Sequence, residues 1–534
     1  MSKHHLDELL SVPSATSVSR RQVLLTLASI ATLSACGGGS GGANPPSNAT
    51  PGVNGPAWWG FGRDSQHTAL GAVATQPLNR IQWKTAVDRQ PQYSNGNLLI
   101  HYGSPVVSAR NTVIVPVKTG VANGFRIDAH AGAGGALLWS VDSDYMLPSH
   151  GWTPSYGVTL TGANRFYAPG AGGKLIWCND ADTGAATMQT VVFYGASAYN
   201  AATTTFDSDV FINTPLTADA AGNIFFGFIA SGNNSAGLVS GVARVAADGS
   251  GTWVAAKAAS NDTSIAKVVM NCAPALSNDS RIVYVAVNTA AAAGVRQSGY
   301  LLALDSATLA TKGIVRLIDP ITGAPSWVDD DGTSSPTVAP SGDVFYGVLE
   351  SSPPNHNSRG WLLHFDSTLS QAKTPGSFGW DDTASVVPAS MVASYAGPST
   401  YLLMTKYNNY AGSGSGDGQN RIAVLDPTQS QIDSIAGIAV MKEVLTILGQ
   451  TPDPQYPGGV REWCINTAAV DPLTRSVLVN NEDGYLYRWD TVSNQFTERI
   501  QLTSGVGEAY TPTVIGPDGA VFAINNAVLF CVGS

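Results

Sequence analysis

The stretch "SPTVAPSGDVFYG" at 335–347 returns near the end of the chain as "TPTVIGPDGAVFAINN" at 511–526. Such repetition constrains a fold more than any local signal, because a unit that recurs must present the same faces to its neighbours. The shared pattern is a short pair most often ending in proline, an apolar stretch, a Gly/Asp/Asn turn and a second β-rich run. It starts at positions 104, 153, 214, 273, 335, 387, 466 and 511, eight copies in all.

Each copy but the last is followed by a third run that closes on Asp or a turn, as in "GYLLALDSATLATKG", and then by a fourth, outer run such as "LLWSVD" at 137–142. The eighth copy stops at "AVLFCVGS", and the piece it lacks, "IQWKTAVD" at 81–88, stands before the first copy. Four antiparallel strands repeated around an axis, with complementary incomplete ends, predict an all-β fold: an eight-bladed β-propeller over 58–534 whose last blade is closed by an N-terminal strand. Two adjoining insertions depart from the pattern, the second a Pro/Gly loop, "TPDPQYPGG", at 451–459. "SQIDSIAGIAVMKEVLTILG" at 430–449 has apolar residues at helical spacing and ends at Gly449. It predicts a short helix within an insertion over about 430–462 that either caps one face or packs over a blade edge.

Composition agrees. Charged residues are 12 %, with Gly 57 and Pro 30, the balance of many short strands joined by tight turns. A formal net charge of −10, without a Lys/Arg-rich run in the body of the chain, argues against a nucleic-acid partner.

The leader "SRRQVLLTLASIATLSAC" opens on Arg20-Arg21, runs apolar from Val23 to Leu33 over too short a span for a bilayer, and ends in small residues before Cys36. This is the pattern of a signal peptide over 1–35. Ser19 to Leu24 resembles the twin-arginine export motif, and Leu33 to Cys36 resembles a bacterial lipobox. The second resemblance implies that Cys36 carries a lipid and is the first residue of the mature chain. Gly37 after the cysteine is the arrangement associated with the outer membrane, so the expected location is the periplasmic side of a bacterial envelope. The glycine-rich run from 37 to 55 has no apolar face to bury, which predicts a flexible tether over 36–57.

Three stretches carry a further resemblance. "WWGFGRDSQHTA" at 58–69 is similar to the leading segment, and "DAHAGAGGALLW" at 128–139 and "DADTG" at 180–184 to the blade-docking motif, of the pyrroloquinoline-quinone-like propellers, the quinoprotein-dehydrogenase-like superfamily. The resemblance spans 58–534 and implies the same eight-bladed fold. For the enzymes of that superfamily it also implies pyrroloquinoline quinone and calcium. Such an enzyme needs oxygen ligands for the cation, a carboxylate base and a Trp against the quinone. Glu508, Asn466, Asp331 and Trp463 are of those types. The vicinal Cys pair and the C-x-x-C-H haem motif found in the family are absent from the sequence.

In a propeller the residues leading into each inner strand converge on one mouth of the axial channel. Here those candidates are His101, His150, Trp152, Asn213, Asn271, Asp331, Asp382, Trp463, Asn466, Glu508 and Tyr510. Polar groups with aromatic walls suit a small ligand, and they equally suit a ring whose members satisfy one another around channel water. The acidic stretches "WVDDDGTSSP" at 327–336 and "WDDTASVVP" at 380–388 precede neighbouring inner strands, where they either share a divalent cation or form solvated turns. Cys178, Cys272, Cys464 and Cys531 fall in blades two, four, seven and eight. Buried thiols are therefore expected, with the neighbouring-blade pair Cys464 and Cys531 the one candidate for a disulfide.

Two functional readings follow. In the first the chain is a lipid-anchored, non-catalytic binding or assembly scaffold that meets an envelope protein or a small ligand at the channel mouth. In the second it is a quinone-dependent dehydrogenase or another channel-mouth enzyme. The missing family signatures favour the first, and twin-arginine export, which carries folded proteins, favours the second.

Overall fold

The computed structural model describes residues 57–534 apart from 95–96, 99–101, 122, 149–155, 185–187, 293, 331, 333, 466 and 506–511. Eight antiparallel sheets follow one another along the chain, each a meander that starts at the propeller axis and ends at its rim. Blade 1 shows the plan: Val106–Val107, Thr112–Lys118, Phe125–Ala131 and Leu137–Ser143 pair in that order. Side chains of the second and third strands are almost all buried, whereas the outer strand alternates toward solvent, as expected of sheets stacked face to face with only a rim exposed. The innermost strands of the other blades include Thr159–Leu160, Thr217–Ala218, Ala275–Leu276, Thr337–Val338, Ser385–Pro388, Ala469–Asp471 and Val514–Ile515.

The ring closes as the incomplete ends of the sequence require. Arg80–Ala86 pairs antiparallel with Val528–Gly533 from the chain's other end, supplying the outer strand of blade 8. The two stretches expected to dock blades do so. The Trp83 ring lies over Gly135, where a Cβ would fall 2.6 Å from it, and the Trp139 ring lies over Gly184, at 2.5 Å. Each indole N–H donates to a backbone carbonyl of the next blade, Trp83 to Gly132 at 2.6 Å and Trp139 to Ala181 at 2.9 Å. A side chain on either glycine would push the indole out of its seam.

The helix expected over 430–449 is instead a β-hairpin. Arg421–Ile432 and Ala439–Leu448 pair to the tip, where Gly437, at φ +69°, returns its N–H to the Asp433 carbonyl. The apolar positions that mimic a helical stripe belong to strands rich in β-branched residues, and a mid-segment glycine in the left-handed region favours a turn over a helix. Blade 5 explains where the hairpin goes. Its sheet has three strands, and its fourth is reduced to the isolated bridges Leu362 to Gly376 and Phe365 to Ala372. The hairpin of blade 6 packs over this edge: the Met441 N–H donates to the Pro375 carbonyl, and Val440 is buried among blade 5 side chains. The excursion therefore covers a blade edge.

Two short helices, Ala196–Ala201 and Thr203–Asp209, join blades 2 and 3 around a buried Phe206 and were not expected from the sequence. Alanine content was the available signal, but Thr203, Thr204 and Thr205 favour strand and masked it. Cys178, Cys272, Cys464 and Cys531 are buried thiols outside any disulfide. Among the described residues no helix is long and apolar enough to cross a membrane.

Candidate functional site

A meander gives the disc two unlike ends. Residues entering the inner strands share one end with the loops between second and third strands, and the tight turns between first and second and between third and fourth strands lie at the other. The turn end is clasped by the chain itself. Residues 58–76 pair with the free edges of successive inner strands, which would otherwise leave buried backbone groups unmatched. Trp58 exchanges two backbone hydrogen bonds with Val107, and the carbonyls of Trp59, Ser65, Gln66 and Ala69 accept from Leu160, Leu276, Val338 and Val470. Gln76 then reaches the carbonyl of Gly519 in blade 8.

Within this segment the buried His67 points Nδ1 at the Pro336 carbonyl, 2.9 Å away, so Nδ1 carries the proton, and burial lowers the ring's pKa to about 4. Its ring meets that of Phe61 in a T-shaped contact, and Phe61 packs with Ala273 of blade 4. The leading segment thus clasps the inner strands of blades 1, 2, 4, 5 and 7 together at the turn end.

Of the residues expected at the other mouth, His101, His150, Trp152, Asp331, Asn466, Glu508 and Tyr510 lie outside the described residues, as does Cys36. Asn213 and Asn271 come together and hold blade to blade: the Asn271 N–H donates to the Asn213 carbonyl at 3.0 Å, and the Asn213 amide donates to the Val268 carbonyl at 2.9 Å. The same lateral stitching continues from Ala273 to Ser335, from Ser335 to Thr383, from Ser385 to Ala468 and from Thr513 to Thr467. Trp463 is buried. Its ring is 1 % exposed and packs against Tyr487 and Phe496 in the body of blade 7.

Asp382 is different. Its backbone carbonyl accepts from the Ser334 hydroxyl at 2.9 Å, but the fully buried carboxyl has no hydrogen-bond partner among the described residues. Burial pushes that carboxyl up to about 8, against the pull of the Lys406 charge. It is held as a neutral acid below that pH. Of the described residues of the first acidic stretch, Asp329 pairs with Arg296 at 2.8 Å, and Asp330 is held below the usual carboxylate range, against burial, by Lys267, Asn288 and Gln297. Among the described residues no three His, Cys, Asp or Glu side chains are grouped for metal binding. Ser377, His356 and Asp433 do meet, yet the serine and the carboxylate both approach His356 at Nε2, while Nδ1 faces the Gly360 carbonyl. A serine nucleophile would need the carboxylate on the opposite nitrogen, so this buried set anchors the hairpin tip to blade 5.

The mouth end carries an apolar rim that sequence reasoning missed. Tyr93, Val121 and Met146 are 44 %, 55 % and 43 % exposed and sit in neighbouring loops of that end. The Gln92 amide donates to the Val121 carbonyl and the Leu147 N–H to Asn123, tying the three loops together. The three residues lie in loops separated in sequence, so nothing local marked them as one patch.

No family model matches the chain, and no curated protein sequence does. Solved structures do. A europium-containing methanol dehydrogenase is similar over 90 % of this chain and 89 % of its own, with 10 % identity and a TM-score of 0.51. The quinohemoprotein alcohol dehydrogenase from Comamonas testosteroni is similar over 91 % and 82 %, with 10 % identity and a TM-score of 0.50. BamB from Moraxella catarrhalis aligns over 86 % and 100 %, with 12 % identity and a TM-score of 0.46. At such identities the likeness establishes the fold alone: an eight-bladed propeller of the pyrroloquinoline-quinone-like type.

Proposed function

We propose that this chain is a bacterial envelope lipoprotein, tethered through Cys36, whose propeller is a non-catalytic scaffold that binds another envelope protein with its mouth end. The observation that carries the reading is the rim of Tyr93, Val121 and Met146, three large side chains exposed in mouth-end loops that hydrogen bonds tie together. Clustered exposed apolar surface on a monomer marks a contact site more often than chance placement does. The clasp supports the same reading, because the leading segment serves the chain's own cohesion at the turn end.

Pyrroloquinoline quinone with calcium is the competing reading; Asp331, Asn466 and Glu508, the oxygen-bearing residues expected for it, lie outside the described residues. Calcium takes six to eight oxygen ligands, whereas among the described residues no three His, Cys, Asp or Glu side chains are grouped, and the Trp463 ring is buried against Tyr487 and Phe496. Two measurements test the proposal. Cys36→Ala should move the protein into the soluble periplasmic fraction, and continued membrane retention would contradict the anchor. A melt of residues 56–534 with the quinone and calcium should show no shift. Stabilisation approaching about 2.7 kcal/mol at roughly a hundredfold excess over the dissociation constant would replace the scaffold by the enzyme.

A further inference from the structure

Edges of outer strands are where a sheet protein invites unwanted pairing, and natural chains blunt them with charge or cover. This ring does so almost throughout. The outer strands of blades 8, 1, 4, 6 and 7 carry Arg80 and Lys84, Asp142, Lys312 and Arg316, Lys442 and Glu443, and Glu498 and Arg499. Blade 5, which lacks a regular outer strand, is covered by the hairpin of blade 6. The two exceptions are neighbours: Gln189–Val192 of blade 2 and Gly251–Ala255 of blade 3 contain no charged residue.

Between these two strands lies a groove of about 530 Å³, and no charged side chain lines it. It exists because the seam is locked differently from its predecessors. Where Trp83 and Trp139 fill the two preceding seams, here Val191 approaches Gly249, and the Ala247 carbonyl receives Arg165 at 3.2 Å. The half-buried Trp253 floors the space left open, with its ring edge-on to Phe228.

We propose that this groove is a second binding site, independent of the mouth-end rim, which takes an extended, uncharged peptide segment of a partner protein as an added strand on Gln189–Val192. Main-chain hydrogen bonds to the free edge supply affinity, and an apolar side chain of the peptide rests on Trp253. The slot suits a short segment, since four residues of strand span about 13 Å. A charged segment would have to leave water without a counter-charge in the lining.

The test is selection from a phage-displayed library of random dodecapeptides on the folded propeller, followed by anisotropy titration of the selected peptides. The expected result is enrichment of uncharged sequences alternating apolar and polar residues. Their binding should weaken at least tenfold in Thr190→Lys, which puts a charge on the exposed edge, and when alternate peptide amides are N-methylated. Trp253→Phe should weaken them less than Trp253→Ala, with the melting temperature checked for each variant. No enrichment over the Thr190→Lys protein, or peptides indifferent to N-methylation, would overturn the proposal. So would a wild-type dimer, seen by sedimentation and abolished by Thr190→Lys, which would make a second copy the occupant.

Discussion

The Trp83 indole donates to the Gly132 carbonyl at 2.6 Å while its ring covers Gly135, so the first strand of the propeller is fastened to blade 1 across the seam where the two ends of the chain meet. Trp83→Ala removes the ring and the hydrogen bond together. Because the side chain is half-buried, the expected loss is about 3 kcal/mol, the low end for deleting a core aromatic. Trp83→Phe keeps most of the packing and should cost about 1 kcal/mol for the unmade hydrogen bond. Denaturant titration of the two variants distinguishes these amounts, and equal losses would mean that the bond, not the ring, closes the seam.

The pattern of legible and illegible features follows the range of the interactions. Blade count, strand order and the split eighth blade were readable because every blade repeats one local sentence, and Arg80–Ala86 matches the outer run that Val528–Gly533 lacks. The reach of the clasp was not readable. Gln66 bonds Val338 and Ala69 bonds Val470, partners hundreds of residues away that no periodicity encodes. The hairpin at Arg421–Ile432 and Ala439–Leu448 failed for a related reason: its apolar residues face blade 5, a tertiary neighbour whose missing strand decides what the segment becomes. At the candidate site, position before an inner strand said nothing about which side chains pair, as Asn271 does with Asn213, or about the direction of the Trp463 ring.

Asp382 makes stability depend on pH with a sign opposite to that of a carboxylate held ionised by its partners. Its folded pKa of about 8 lies above the unfolded value of about 3.9, so between these limits the folded state holds the extra proton. Its contribution to stability falls as pH rises through that window. The melting temperature of the wild type should therefore drop more between pH 5 and pH 8 than that of Asp382→Asn, with pH 5 and 8 chosen as roughly the window's interior and upper edge. Parallel curves would show that the carboxyl is not held neutral.

Asp433 carries the opposite sign. Against burial, the His356 ring and the Ser377 hydroxyl hold its carboxyl far below the ordinary range, so its stabilisation is present above the unfolded pKa and fades as acid protonates it. Asp433→Ala should uncover the edge of blade 5 and cost about 2 to 3 kcal/mol, the range for hydrogen bonds to a buried charge. Hydrogen exchange localised to 361–376 would check that the loss is felt in blade 5.

The four body cysteines should be silent in the native state. Burial pushes the Cys178 thiol up to about 11 and those of Cys272 and Cys531 up to about 12, and all four, Cys464 included, are enclosed. Ellman's reagent should find none of the four in the folded propeller and all of them in denaturant. A native titre of one or more would contradict the packing of the blade that holds the reactive thiol.

The most direct test of the scaffold reading is photocrosslinking in living cells, with a photoreactive amino acid at Val121 on the mouth-end rim and, separately, at Leu473, which is 65 % exposed in a turn of the opposite end. The account predicts a discrete crosslinked partner from Val121 that Met146→Asp diminishes, and none from Leu473. Equal crosslinking from both ends, or none from Val121, would contradict it.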